Sequence, residues 1–231
     1  MSERRGKQFY CVFCCPHCLA MAAVMRTLPS KAFGFRSYTD GLDVEPGFID
    51  TPPAARCATC NHFYWCEDGI AAFASRRAEL TDAEYAAGFA GAHWIDDLSE
   101  SEIYEALRTG LAKNADDELR LRLEALQRRN DAYRHLDPSE IAEAPFLLDD
   151  CCANLRALLN ILDGNDSTQA LLKCEVLREL HQFDSALALL SHISDQKLAT
   201  RVAKQQELSA AQDARVRQYP EEKRRVRKRV Q

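Results

Sequence analysis

No apolar run in this 231-residue chain approaches the roughly 18 residues that a membrane span needs, so no membrane association through a spanning helix is expected. Arg4, Arg5 and Lys7 make the start basic, but residues 11–19 form a broken, cysteine-rich run instead of a signal-peptide core. Catalytic signatures are missing too. There is no His-Glu-x-x-His, no His-x-Glu with a downstream Pro-Cys-x-x-Cys, no phosphate-binding loop, no dinucleotide fingerprint and no Gly-x-Ser-x-Gly. These absences point to a cytoplasmic protein that is not an enzyme.

Cysteine, by contrast, is plentiful: there are ten. In a reducing cytoplasm they read as metal ligands and core residues in preference to disulfides. Two pairs stand out, Cys15-Pro16-His17-Cys18 and Cys57-Ala58-Thr59-Cys60. A C-x-x-C knuckle reverses the chain and turns both sulfurs, with nearby backbone amides, toward one ion. Two knuckles supply four thiolates, which is the donor set of a closed structural zinc site. The 38 residues between Cys18 and Cys57 are read as a hairpin that brings the knuckles together. For a module of about 60 residues, whose own core is marginal, the metal would supply much of the folding energy.

An overlapping pair, Cys11-Val12-Phe13-Cys14, offers an alternative in which Cys11 and Cys14 replace Cys15 and Cys18, or hold a second metal with Cys66 and a histidine. Only the downstream pair has Pro after its first cysteine, and neighbouring residues on a regular strand face opposite sides. The assignment preferred is Cys15, Cys18, Cys57 and Cys60. His17 and His62 read as solvent-facing loop residues, and Cys151, Cys152 and Cys174 as core residues of helices. A thioredoxin-type dithiol is the competing reading of a C-x-x-C, but that motif opens a helix in a βαβ context absent here.

Along the chain, residues 1–68 read as a β-like module. Thr39-Asp40-Gly41 signals a hairpin with a type I′ turn, and Phe63-Tyr64-Trp65 a strand over a small core. Beyond Asp68 Gly and Pro thin out and apolar residues take helical spacing, so 69–218 reads as an all-α domain. Thr81-x-x-Glu84 is a capping box. Ser99 opens a helix carrying Ile103, Leu107 and Leu111 on one face. Further helices are expected through 119–130, 154–162, 167–180, 183–193 and 195–218. Net charge is −5, yet from Arg215 onward eight basic residues face only Glu221 and Glu222, leaving 22 basic against 33 acidic residues before them. An acidic body thus ends in a basic tail, 219–231, whose charges suit phosphates or an acidic partner.

The knuckles, with Phe33-Gly34, Tyr38-Thr39-Asp40-Gly41 and the run from Asn61 to Trp65, resemble a zinc ribbon. They are similar to bacterial proteins of uncharacterised function that couple such a ribbon to a helical region. Such knuckles usually carry Gly after the second cysteine; Leu19 and Asn61 stand there. Residues 172–190 resemble one tetratricopeptide-repeat hairpin: Cys174 takes the small mid-helix position, His181 replaces the usual turn Gly, and Phe183 and Ala186 follow. The resemblance implies an α+β protein, with a zinc-ribbon module followed by a helical domain containing a repeat-like hairpin at about 167–193. It implies Zn as cofactor and an interaction or adaptor role with a protein partner. Nucleic-acid binding through ribbon and tail is the alternative.

Overall fold

The computed structural model describes residues 8–27, 36–44, 51–76, 91–134 and 148–220. Its strands are β1 (Gln8–Cys14), β2 (Met21–Thr27), β3 (Arg36–Ser37), β4 (Asp43–Val44), β5 (Ala54–Arg56), β6 (Phe63–Trp65), β7 (Ile70–Arg76) and β8 (His93–Trp94). Six helices follow among the described residues: α1 (Glu100–Arg108), α2 (Ala115–Arg134), α3 (Asp149–Ile161), α4 (Ser167–Glu179), α5 (Phe183–Leu190) and α6 (Ala199–Ala210). The protein is therefore mixed α+β, with small sheets first and helices after. No described helix is long and apolar enough to cross a membrane. The chain divides into two units, Met1–Phe33 with Glu45–Arg129, and Gly34–Val44 with Asn130–Gln231.

In the first unit β1 pairs antiparallel with β2 in unbroken register from Gln8↔Thr27 to Cys14↔Met21. The sheet order is β7-β1-β2-β8. Residues 70–76, placed by sequence in the helical half, are thus a strand against β1, with a bulge between Val12 and Phe13. The reason is visible in the segment Ile-Ala-Ala-Phe-Ala: a short apolar run fits a buried strand or a helix, and an available partner strand decides. A second antiparallel pair, β5–β6, carries Phe63, Tyr64 and Trp65, all buried. Ala54, Phe63 and Trp65 pack with Leu98, Ile103, Ala106, Leu121 and Ala125, so α1 and α2 cover this hairpin. Ser99 caps α1 through a capping box with Glu102. Leu111, expected on that helix, lies past its end. Gly110, at φ 77°, accepts the left-handed position of the terminating turn, and Leu111 N–H donates back to Ala106 O.

In the second unit α4 and α5 form an antiparallel hairpin. His181, at φ 58°, ends α4: its amide donates to Arg178 O, and Gln182 N–H donates to Leu177 O. This is the Schellman arrangement in which Gly is favoured because side chains resist positive φ. Cys174 is fully buried with its Sγ 3.7 Å from Ala186 O, so two small residues set the close approach of the helices. Leu171, Leu177, Leu190, Val202 and Tyr219 complete this core. The final helix does not reach Gln218. It stops at Ala210, with Gln212 at φ 53° and Asp213 N–H donating to Leu208 O. From there the chain runs extended, burying Ala214, Val216 and Tyr219.

That extended segment meets the β3–β4 hairpin, which also belongs to the second unit. Tyr38 bridges Gln218, Thr39 N–H donates to Arg217 O at 2.9 Å, and Tyr219 N–H donates to Ser37 O at 2.8 Å. The hairpin expected at Asp40-Gly41 is present, but its turn is not type I′. Only Gly41 has positive φ (83°); its amide donates to Tyr38 O, and Tyr38 N–H donates to Leu42 O. This is a tight turn followed by a left-handed Gly, the three-residue-loop solution. The Thr81–Glu84 capping box and residues 221–231 lie outside the described residues.

A Cβ on Gly41 would meet Leu172 Cδ2 at 2.7 Å, in a backbone conformation that side chains resist. Gly41→Ala should therefore destabilise the second unit by about 1–2 kcal/mol. Gly164→Ala, where a Cβ meets nothing, should stay within about 0.5 kcal/mol of the parent. Urea denaturation followed by helical circular dichroism checks the pair; equal effects would remove the role assigned to the Gly41 turn.

Candidate metal centre

Both cysteine pairs sit in hairpin turns of the first unit, and the two turns repeat one another. β1 ends at Cys14 and β2 starts at Met21; β5 ends at Arg56 and β6 starts at Phe63. Each connection is therefore six residues, 15–20 and 57–62. In the first, Cys15 N–H donates to Ala20 O and Leu19 N–H to Cys15 O, both at 2.9 Å. In the second, Cys57 N–H donates to His62 O at 2.9 Å and Asn61 N–H to Cys57 O at 2.8 Å. Leu19 and Asn61 hold matching φ values of 62° and 60°. The knuckle conformation thus forms without the usual Gly. Asn tolerates it; Leu carries strain. The knuckles are turns of two separate hairpins, so the 38 intervening residues do not make one hairpin joining them.

The four sulfurs converge. All lie within 4.8 Å of one another, with Cys15 Sγ 3.8 Å from Cys60 Sγ and Cys18 Sγ 3.6 Å from Cys57 Sγ. A tetrahedral ion with bonds of ~2.3 Å to sulfur needs sulfur–sulfur edges of ~3.8 Å. These four side chains can hold a metal ion. Backbone amides turn inward as well: His17 N–H reaches Cys15 Sγ at 3.4 Å, and the Thr59 and Cys60 amides donate to Cys57. Cys15 is fully buried and Cys57 nearly so, Cys60 is half-buried and Cys18 exposed. The inner cysteine of each knuckle is therefore set in the unit's core and the outer one faces solvent.

Ionisation of the set is uneven. Burial opposes charge at Cys57, but the Cys60 and Thr59 amides and the Cys18 and Cys60 thiols outweigh it and bring its thiol down to about 7. At Cys18 the Ala20 amide favours the thiolate, yet desolvation and the three other cysteines push the thiol up to about 12. Burial raises Cys15. The Cys57 thiolate forms readily while Cys15 and Cys18 resist, because further negative charge crowds the first. A dication reverses that balance, so metal uptake must release protons.

One more polar group lies beside the four sulfurs. Tyr64 packs with Cys15, Ala55, Cys57 and Cys66, and its hydroxyl is buried without a hydrogen-bond partner. Burial, then the negative charge of Cys66 and the knuckle cysteines, raises its pKa and keeps it a neutral O–H donor. Among the described residues no acceptor, sulfur included, meets this hydroxyl in hydrogen-bond geometry. Sequence pattern did not single out this hydroxyl; its signal is strand alternation, which puts the middle aromatic of Phe63-Tyr64-Trp65 opposite its neighbours.

The remaining candidates lie elsewhere. Cys11 and Cys14 belong to β1, Cys11 opposite Val24 and Ala74, Cys14 opposite Met21 and Ile70. Cys66 is buried beside the four-sulfur group but outside it. His17 and His62 are exposed and stack on each other at 4.8 Å, with His62 Nδ1 3.1 Å from Cys60 O. Beside them opens a cleft of about 640 Å³ whose lining includes Trp65, Glu105 and Lys113. Cys151 and Cys174 are buried in helices and Cys152 is half-buried. None of the ten cysteines is in a disulfide. Comparison with protein-family models, curated proteins and solved structures finds no match.

Leu19→Gly should relieve the strained knuckle and raise stability of the metal-loaded protein by about 0.5–1 kcal/mol, the left-handed penalty less the added chain freedom. Asn61→Gly should change it less. Thermal unfolding with metal bound checks this; a loss of stability in Leu19→Gly would contradict the knuckle geometry. Tyr64→Phe deletes a buried hydroxyl that no described residue bonds, so it should leave stability unchanged or raise it by about 1 kcal/mol; a clear loss in thermal unfolding would show that the hydroxyl has a partner in solution.

Proposed function

We propose that this protein is a non-enzymatic, zinc-stabilised interaction protein. In this reading zinc held by Cys15, Cys18, Cys57 and Cys60 staples the two hairpins of a zinc-ribbon-like module, and the helical unit offers a surface to a protein partner. The observation that carries it is the closed donor set: four sulfurs fill a tetrahedral ion's positions and leave none for water or substrate, the arrangement of structural sites. Tetrahedral sulfur ligation suits zinc or iron, and zinc is the redox-inert ion that a purely structural role calls for. Thiols kept reduced for such a site fit a cytoplasmic location.

For the helical unit, the α4–α5 hairpin has the close approach at Cys174 and Ala186 and the left-handed turn that a tetratricopeptide-like pair needs. On α6, Ala199, Thr200 and Ala203, flanked by the Lys204–Glu207 ion pair and Pro220, line a shallow concavity of about 480 Å³, suited to an extended peptide or a partner helix. The charge asymmetry supports a second reading, nucleic-acid binding through the carboxy-terminal basic residues. Arg215 and Arg217 weaken it, since both pair with Asp213, at 2.7 and 2.8 Å.

Native mass spectrometry of the full chain, with and without chelator, tests the metal. The expected result is one zinc per chain, lost in Cys15→Ser and Cys57→Ser and kept in Cys11→Ser and Cys14→Ser. Two ions, iron, or loss in the β1 variants would overturn the assignment. For the partner, crosslinked complexes should disappear in Ala203→Arg with zinc content unchanged. Binding that instead follows salt concentration and deletion of 221–231 would favour nucleic acid.

A further inference from the structure

The second unit buries an ionic network that the metal site does not involve. Asp40 comes from the β3–β4 hairpin, Asn130 and Arg134 from the end of α2, Glu175, Arg178 and Glu179 from α4, and Gln205 from α6; all are buried. Three carboxylates thus share the interior with two guanidinium groups.

Hydrogen bonding shows which carboxylate lacks a cation. Arg134 grips both oxygens of Asp40 and also donates to Asp131. Arg178 commits every N–H it has: Nη2 to Glu175 Oε2 and to Thr39 Oγ1, Nη1 to the Asp213 and Arg215 carbonyls, Nε to Gln205 Oε1. Glu175 further accepts from Thr39 Oγ1 at 2.8 Å and Gln205 Nε2 at 3.0 Å. Among the described residues Glu179 receives only the neutral Asn130 Nδ2, at 2.9 Å, on its Oε1. Asn130 Nδ2 spends its other proton on Asp40 Oδ2 at 3.1 Å, while Asn130 Oδ1 is buried with no donor among the described residues. One acceptor is orphaned beside one carboxyl that has no positive partner.

We propose that Glu179 is a neutral carboxylic acid in the folded protein, paired with Asn130 in a two-bond acid–amide ring that locks α4 to the end of α2. In that ring Asn130 Nδ2–H donates to Oε1, as observed, and the proton on Glu179 Oε2 donates to Asn130 Oδ1. Both vacancies close with a single proton, and every polar atom of Asn130 is then satisfied. An ionised Glu179 would leave an uncompensated buried charge and the orphaned oxygen together, the costliest combination for an interior site. Desolvation and the nearby charges of Glu175 and Asp40 act the same way, holding this carboxyl well above the usual range; the Asn130 hydrogen bond and Arg178 oppose them and lose.

The sign of the consequence follows from proton counts. An unfolded Glu releases its proton near pH ~4.3, whereas the folded Glu179 keeps it, so the folded state binds more protons above that pH. Stability therefore falls as pH rises, by about tenfold in the folded-to-unfolded ratio per pH unit at full effect, until Glu179 ionises in the folded state. Alkaline conditions loosen this unit.

Glu179→Gln keeps the ring, since a carboxamide accepts and donates at the same places, and removes the titration. Urea denaturation of the full chain at pH 5 to 9, followed by helical circular dichroism, should show the parent losing stability relative to Glu179→Gln by a one-proton slope. Parallel pH profiles would overturn the proposal. Infrared spectroscopy supplies a check that needs no folded variant: the parent at pH 7 should show the carbonyl stretch of a buried protonated carboxyl. Its absence would also overturn the assignment.

Discussion

Gathering four thiols within 4.8 Å of one another creates a site where one negative charge opposes the next, and the first unit is arranged around that constraint. Two six-residue turns with the same hydrogen bonds and the same left-handed residue deliver the sulfurs. Their inner cysteines sit in the core, and inward-facing amides offset part of the charge. A bound dication satisfies all of these at once. On the proposed reading, zinc is what makes a small, short-stranded module hold one conformation.

The second unit meets an analogous difficulty with protons and arginines. Its α4 helix is buried all round from Cys174 to Glu179, so the charged residues of that stretch have no solvent to face. Glu175 and Arg178 pair with each other and enlist Thr39, Gln205 and backbone carbonyls from the extended carboxy-terminal segment. The hairpin at 36–44, which lies between the knuckles in sequence, is bound into the helical unit by these contacts. Chain order and structural order part here.

The four cysteines that the fold gathers were legible because C-x-x-C spacing is a local property and a knuckle needs little beyond its own backbone. Helix starts such as Ser99 were legible for the same reason: a capping box is written in four residues. Strand β7 was not, since its apolar run becomes a strand only by pairing with β1 some sixty residues earlier. The early end of α6 was hidden because Gln212 adopts a conformation normally marked by Gly. Glu175, Arg178 and Glu179 carried a signal, charges among apolar neighbours on a helix without a polar face, but their partners at Thr39, Asp40 and Asn130 are set by tertiary structure alone.

The most direct test of the account is X-ray absorption at the zinc edge on the protein as purified. It should show a first shell of four sulfurs at ~2.3 Å with no nitrogen or oxygen and no neighbouring metal. A mixed shell containing imidazole or water would mean an open or different site, and would contradict the closed structural centre on which this reading stands.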